Sequence, residues 1–209
     1  MNYKKINNIT GWAVFAIALI VYYFSAERVG SLWDCGEFIT GAYKLQVVHP
    51  PGAPIFILIG RMFTFLAEMI SSNPEDISFA VNMLSGICSA FAATFVCWVT
   101  TILGKLTLVG RENDPSQSET IALMGAGAVA GLTTAFCTSI WFSAVEGEVY
   151  SMSTFFTALT LWAAIKWYSL PNEAQHDRWL IFSVYAAGLS MGVHLLSLLT
   201  FPALSLIHI

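Results

Sequence analysis

The sequence predicts an all-α integral membrane protein, a multi-helix bundle of about five crossings with one long outer segment. Two observations predict it. Apolar residues make up 56% of the 209 and charged residues 11%, whereas soluble domains carry about a quarter charged residues, and the mean hydropathy is positive. The apolar residues also fall into blocks, 9–26, 77–103, 121–145, 149–167 and 179–209. Each is long enough to cross about 30 Å of hydrocarbon at roughly 20 residues per crossing, and the first four have no charge at their centre.

Lys4 and Lys5 precede the first block, as they would in a signal peptide, but Tyr23-Phe24-Ser25-Ala26 is a poor match to a small-residue cleavage site. The block is therefore read as an uncleaved first helix running outward. Residues 27–76 form the outer segment. Within it, the apolar stretch 53–70 opens with Gly52 and Pro54 and carries Arg61 and Glu68. A charge at mid-bilayer costs about 2.5–3.5 kcal/mol on insertion scales, so this stretch is expected to lie at the interface or to re-enter rather than to span.

The distribution of basic residues supports that choice. With 53–70 outside, Lys4, Lys5, Lys105, Arg111, Lys166 and Arg178 are cytoplasmic, six of the nine basic residues. Arg28, Lys44 and Arg61 then lie outside with eight of the thirteen acids. Letting 53–70 span reverses the bias and breaks the positive-inside rule. The remaining elements follow in order: 77–103 inward, a cytoplasmic loop 104–119, 120–145 outward, 149–168 inward, a cytoplasmic loop 169–178, and a last helix outward from 179. Gly125, Gly127 and Gly131 mark close helix packing. There is no internal repeat. The chain stops at Leu206-Ile207-His208-Ile209, inside an apolar block, so residues 1–209 are read as a single transmembrane domain, the N-terminal part of a longer membrane domain.

The net charge of −4 and the lack of a basic stripe exclude a nucleic-acid partner. Cys35, Cys88, Cys97 and Cys137 show no CxxC spacing, which supports neither a zinc site nor a disulfide framework. No metal ligand is assigned on this basis.

Three polar clusters fall on the outer side of this topology. In Trp33-Asp34-Cys35-Gly36-Glu37-Phe38 the two acids are spaced i, i+3, so both carboxylates project from one side of a helical turn. Such a pair suits general-base or cation-binding work; the alternative is an N-terminal turn that favours acids for its dipole. In His49-Pro50-Pro51-Gly52-Ala53-Pro54 the prolines impose an extended entry and a helix start. They hold His49 at head-group level, either to meet a phosphate or simply to face solvent. Glu146-Gly147-Glu148-Val149-Tyr150 joins two spans, and two acids at a membrane exit are costly unless used, although Tyr150 alone reads equally well as a belt aromatic. His194, about 15 residues into the last helix, approaches the same side at 1.5 Å per residue; a buried bundle histidine is the alternative. The three clusters converge on one face, and that convergence played no part in choosing the topology.

These motifs, Asp34-x-Gly36-Glu37-Phe38 followed by His49-Pro50-Pro51-Gly52-x-Pro54 and by Glu146-Gly147-Glu148-Val149-Tyr150, resemble the bacterial membrane family known as domain of unknown function 2723, a relative of transmembrane protein 260, over nearly the whole chain. The resemblance implies a C-type glycosyltransferase fold with a catalytic acid on its first outer loop. It implies a bacterial inner (cytoplasmic) membrane location with a periplasmic active face. A sugar would pass from a polyprenyl-phosphate carrier to an acceptor, with mannose and a secreted protein's Ser or Thr suggested by the resemblance alone. The reaction would be a single inverting displacement. Asp34 is then the general base, with Glu37 as the alternative base or as the carboxylate that orients the acceptor. His49, Arg61 or Lys44 would hold the phosphate, while Glu146, Glu148, Tyr150 and His194 would line the cavity. The partners would be membrane lipid, the lipid-linked sugar donor and the acceptor protein. No resident cofactor is required, and a divalent metal is left open.

Two other functions fit the composition. A transporter would run acids and His194 through the membrane, but the acids cluster at one surface and no broken-helix pair is evident. A non-catalytic scaffold would make Asp34 and Glu37 dispensable beyond folding.

Overall fold

The computed structural model describes residues 2–170 and 176–207. Its centre is α4 (Pro74–Leu108), a helix of 35 residues. Asn73 caps it by accepting from the Glu75 amide at 3.1 Å, and Pro74 takes the first-turn position where no amide is needed. Packed around α4 are α1 (Tyr3–Ser25), α5 (Gln117–Phe136) and α7 (Val149–Ser169), with α8 (Asp177–Ser190) lying against α7. Ser116 and Glu119 cap α5 reciprocally.

Hydrogen bonds fix the relative directions of these helices. The Tyr3 hydroxyl donates to Thr101 O at 3.2 Å, and Trp98 Nε1 donates to Asn7 O at 3.1 Å, so α1 and α4 are antiparallel. At the other end the Tyr22 hydroxyl donates to Ala135 O at 2.6 Å, which sets α1 parallel to α5. The Ser183 hydroxyl donates to Thr160 O at 3.0 Å between antiparallel α8 and α7. Ser85 meets Glu148 while Phe95 meets Trp162 (ring centroids 5.2 Å), so α4 and α7 run the same way. This is the alternation of directions that the charge distribution predicts.

Basic residues gather at one end of the bundle. Lys166 Nζ sits 4.9 and 4.8 Å from the Trp162 and Trp179 rings, and Arg111 lies 4.7 Å over Tyr168. The acidic clusters occupy the opposite end.

Among the described residues α1, α4 and α5 are long and apolar enough to cross a membrane. Two of the expected spans are broken. The stretch 120–145 divides at Cys137, whose backbone is extended (ψ 147°), into α5 and α6 (Thr138–Val145). The Thr134 hydroxyl bonds back to Ala130 O at 2.9 Å just before the break, an interaction that bends helices. The expected last helix from 179 ends at Ser190; a turn, a 3-10 helix (Leu195–Leu199) and α9 (Thr200–Ile207) follow. Pro202 cannot supply an interior amide, and the Gly192 carbonyl is taken by Ile55 N at 3.0 Å instead of continuing the helix. The centre of the loop 169–178 and the last two residues lie outside the described residues.

Helix packing depends on two of the three glycines on α5. A Cβ on Gly131 would stand 2.8 Å from Ala93 O and 3.0 Å from Val14 Cγ1, and one on Gly127 would stand 2.5 Å from Thr101 Cγ2 and 3.0 Å from Cys97 O. Gly125 has nothing within 4 Å, which corrects its assignment to packing. Gly131→Leu is expected to cost about 1–3 kcal/mol as overpacking against backbone, whereas Gly125→Leu should stay within about 0.5 kcal/mol. Thermal melts of the two variants in detergent check this, and equal melting temperatures would refute it.

Candidate functional site

The segment after α1 is short of regular structure until α2 (Cys35–Lys44), and it is held by α4 rather than by itself. Asn82, fully buried on α4, donates through Nδ2 to Glu27 O at 2.7 Å and to Val29 O at 3.4 Å. Its Oδ1 accepts from the buried Cys35 thiol at 3.7 Å, and the Cys35 sulfur accepts from Gly147 N at 3.3 Å. Three residues along α4, on the same face, Ser85 Oγ accepts from Glu148 N at 3.1 Å and donates to Glu148 O at 3.3 Å. Asn82 and Ser85 thus clip the Asp34-bearing turn and the Glu146-Gly147-Glu148 turn to one another. Gly147 lets the turn approach α4 closely, since a Cβ would sit 3.0 Å from Asn82 Oδ1 and 3.2 Å from Val81 Cγ1 and press both aside.

Asp34 occupies the N-cap position of α2, yet its carboxylate makes no capping hydrogen bond. Both acids, Asp34 and Glu37, thus sit where the helix dipole favours negative charge, but Asp34 contributes no capping hydrogen bond there. Glu37, in the first turn, is committed elsewhere: Oε1 accepts from His49 N at 2.7 Å, and Oε2 pairs with His49 Nδ1 at 2.8 Å. That grip turns the other ring nitrogen, Nε2, toward Asp34 Oδ2 at 3.8 Å. The loop carrying His49 turns through Gly52, whose φ of +80° favours glycine, and enters α3 (Pro54–Glu68), 15 residues with proline in its first turn.

A cavity of about 820 Å³ opens beside this cluster, lined by Glu27, Gly30, Ser31, Leu32, Trp33, Asp34, Phe142, Ser143, Glu146, Glu148 and Tyr150. Asp34, Glu148 and Tyr150 also line a smaller adjoining pocket that reaches His49 and His194. Trp33 is 91% exposed at the mouth and is held in the left-handed region (φ 60°), a conformation costly for a bulky residue. Two residues of the lining, Ser31 and Glu148, each carry a buried oxygen (Oγ and Oε2) with no hydrogen-bond partner.

Pairing with Glu37 raises the His49 pKa above the ordinary imidazole value and lowers that of Glu37. Glu148 is pushed up to about 7, first by burial and then by the nearby Asp34 and Glu146 charges. Between its ordinary 4.5 and about 7, the folded protein holds a proton that the unfolded chain has lost, so stability falls as pH rises through that window. The loss should reach at most about 3 kcal/mol and less with solvent screening. Thermal melts from pH 5 to 8 in EDTA should show this decline in the wild type and a flatter curve in Glu148→Gln; parallel curves would refute it.

The structure brings together Asp34, Glu37, His49, Glu146, Glu148, Tyr150 and His194. His194 reaches the group differently from the sequence expectation. It does not lie deep in a continuous helix but caps the 3-10 helix, Nδ1 accepting from Leu196 N at 3.1 Å, with its ring 5.3 Å from that of Tyr150. Arg61 does not join the site. It pairs with Glu68 at 3.1 Å and bonds Thr64 Oγ1 at 3.1 Å on α3, because Glu68 is two helical turns along the same face. Lys44, in the last turn of α2, does not line the cavity. The residues that sequence reasoning missed are Glu27, Asn82 and Ser85. A single Asn eight residues into α4 was the available signal, since a polar side chain in a membrane helix asks for a partner.

An all-helical membrane bundle with a carboxylate-lined cavity at one end is the class that the fold and site define. The chain belongs to the family described as the protein O-mannosyl-transferase TMEM260 N-terminal domain, whose model matches residues 34–209. It is 25% identical over 166 residues to protein O-mannosyl-transferase tmem260 of Dictyostelium discoideum, covering 79% of this chain and 18% of that protein. It is also 25% identical over 179 residues to protein O-mannosyl-transferase TMEM260 of Mus musculus, covering 86% of this chain and 22% of that protein. The chain thus spans about a fifth of the length of these relatives. No solved structure matches it.

Proposed function

We propose that the full-length protein is a membrane O-mannosyltransferase and that this chain carries its acceptor-activating carboxylate. The observation that carries the reading is Asp34, an N-cap acid that leaves its helix uncapped and faces an 820 Å³ cavity. The relatives' names supply the reaction class.

The acceptor Ser or Thr hydroxyl would lie against Asp34. As its oxygen attacks the sugar C1, Asp34 takes the hydroxyl proton, the C1–oxygen bond to the lipid phosphate breaks, and the anomeric centre inverts. The leaving polyprenyl phosphate is already stable as an anion, so it needs charge stabilisation more than protonation. Glu37 acts through His49, holding the ring against Asp34, and is not itself the base. The Trp33 and Tyr150 rings at the cavity wall suit the apolar face of a sugar, and the unpartnered Ser31 hydroxyl and Glu148 carboxyl suit its hydroxyls. The basic-residue distribution supports an extracytoplasmic position for this cavity, the periplasm in a bacterium.

The test is transfer of labelled mannose from a polyprenyl-phosphate donor to a secreted acceptor protein by the full-length protein in lipid. Label on Ser or Thr supports the reading. No transfer from any lipid-linked donor would leave the scaffold function in its place.

A further inference from the structure

The cavity that this reading assigns to a lipid-phosphate sugar has an electrostatic problem. Glu27, Asp34, Glu146 and Glu148 line it, and among the described residues no lysine or arginine does. Arg61 is occupied by Glu68 on another face, and the His49 ring is held by Glu37. An anionic phosphate entering such a cavity meets like charge, which works against binding unless a cation intervenes.

We propose that Asp34 and His49 bind a divalent cation of the Mg²⁺ or Mn²⁺ type, with Glu37 orienting His49 from behind and Glu148 facing the ion across the pocket that it lines with Asp34 and His49. Four observations carry this. The potential ligand atoms of Asp34, Glu37 and His49 all lie within 4.8 Å of one another. The Asp34 Oδ2 to His49 Nε2 separation of 3.8 Å is long for a hydrogen bond and within the roughly 4.2 Å that two ligands of one octahedral ion can span. Glu37 on Nδ1 at 2.8 Å is the carboxylate-behind-histidine arrangement that fixes the tautomer and leaves Nε2 free to ligate. The fourth observation is independent of the cluster. Glu148 is only 8% exposed, its Oε2 has no partner, and it lines both the cavity and the pocket shared with Asp34 and His49. A buried, unpaired carboxylate is costly, and a cation held with Asp34 and His49 would remove that cost. An oxygen-rich set with one imidazole suits a hard divalent ion with remaining positions for water or phosphate oxygens. Asp34 can ligate through Oδ2 and keep its other oxygen for the acceptor hydroxyl.

The role of this cation in meeting the phosphate rests on the transferase reading; its binding does not. The experiment is titration of Mn²⁺ into chelator-stripped full-length protein in lipid nanodiscs, followed by loss of the free-ion EPR signal without donor or acceptor. One saturable site is expected. Asp34→Asn and His49→Ala should weaken it by about 100-fold or more, and Glu37→Gln, which acts behind the ligand, by about 10-fold. Melting temperatures in EDTA identify any variant that has merely unfolded, and Glu148→Gln, expected to be at least as stable as wild type at pH 8, serves as the folded fourth variant with weakened binding. No saturable binding, or binding untouched by all four changes, overturns the proposal. Transfer that proceeds undiminished in EDTA overturns the cation's role and leaves the transferase standing. Mn²⁺ bound through these residues in a protein that transfers no sugar upholds the site and overturns the transferase.

Discussion

Asp34→Asn in the full-length protein is expected to lower sugar transfer by about 10²–10⁴-fold, the range for loss of a positioned general base. The loss should fall on kcat, because the amide preserves the shape of the cavity wall but cannot take a proton. Folding should survive. The Asp34 carboxylate makes no capping bond and is about half exposed, 49%, so the substitution should stay within about 0.5 kcal/mol in a thermal melt. A folded variant that transfers as fast as wild type would move the base elsewhere. Glu37 is a poor replacement, since both of its oxygens are held by His49.

The largest effect on stability is expected at Asn82. Removing its side chain releases the Glu27 and Val29 carbonyls and the Cys35 thiol together; the carbonyls belong to exposed residues and can turn to water, whereas the thiol is buried. Asn82→Ala should therefore cost about 2–3 kcal/mol, chiefly for the cavity left at a fully buried position and the thiol left without its partner. It should also lower transfer at temperatures where the variant is still folded, because the two acid-bearing turns would no longer be held at fixed separation. Ser85→Ala, which loses the bonds to one peptide group, should cost about 1 kcal/mol. Paired melts and transfer rates of the two variants measure this. An Asn82→Ala protein as stable as Ser85→Ala would show that the turns are held by other contacts.

What the sequence disclosed follows from what each feature depends on. The helical blocks were legible because burial in lipid is set by composition alone, and 149–168 agrees with α7 to within a residue of its end. The meeting of Asp34, Glu37, His49, Glu146, Glu148, Tyr150 and His194 was legible because alternating crossings put every second loop on one side. The breaks at Cys137 and after Ser190 were not, since both lie inside apolar stretches where local hydrogen bonds, not hydropathy, decide whether the helix continues. The orientation of Arg61 was hidden for a related reason: Glu68 and the cavity were equal candidates until the helix phase was known. Which carboxylate is free and which is committed turns on one ångström, 2.8 Å from His49 for Glu37 and 3.8 Å for Asp34, and spacing alone could not separate the two.

The length of α4 has a bearing on how reactants would arrive. Counted from Lys105 at its inner end, Asn82 is 23 residues away on a continuous helix, about 34 Å at 1.5 Å per residue. With Lys105 at the inner boundary, that slightly exceeds the roughly 30 Å hydrocarbon thickness, which would set the clip beneath the cavity level with the lipid head groups and the first two turns of α4 above them. A carrier lipid keeps its phosphate in that same layer. Such a donor would reach the cavity by lateral diffusion within the leaflet, a two-dimensional search, while the acceptor descends from the aqueous side. The two reactants would then enter through different doors, and neither would have to wait for the other to clear the way.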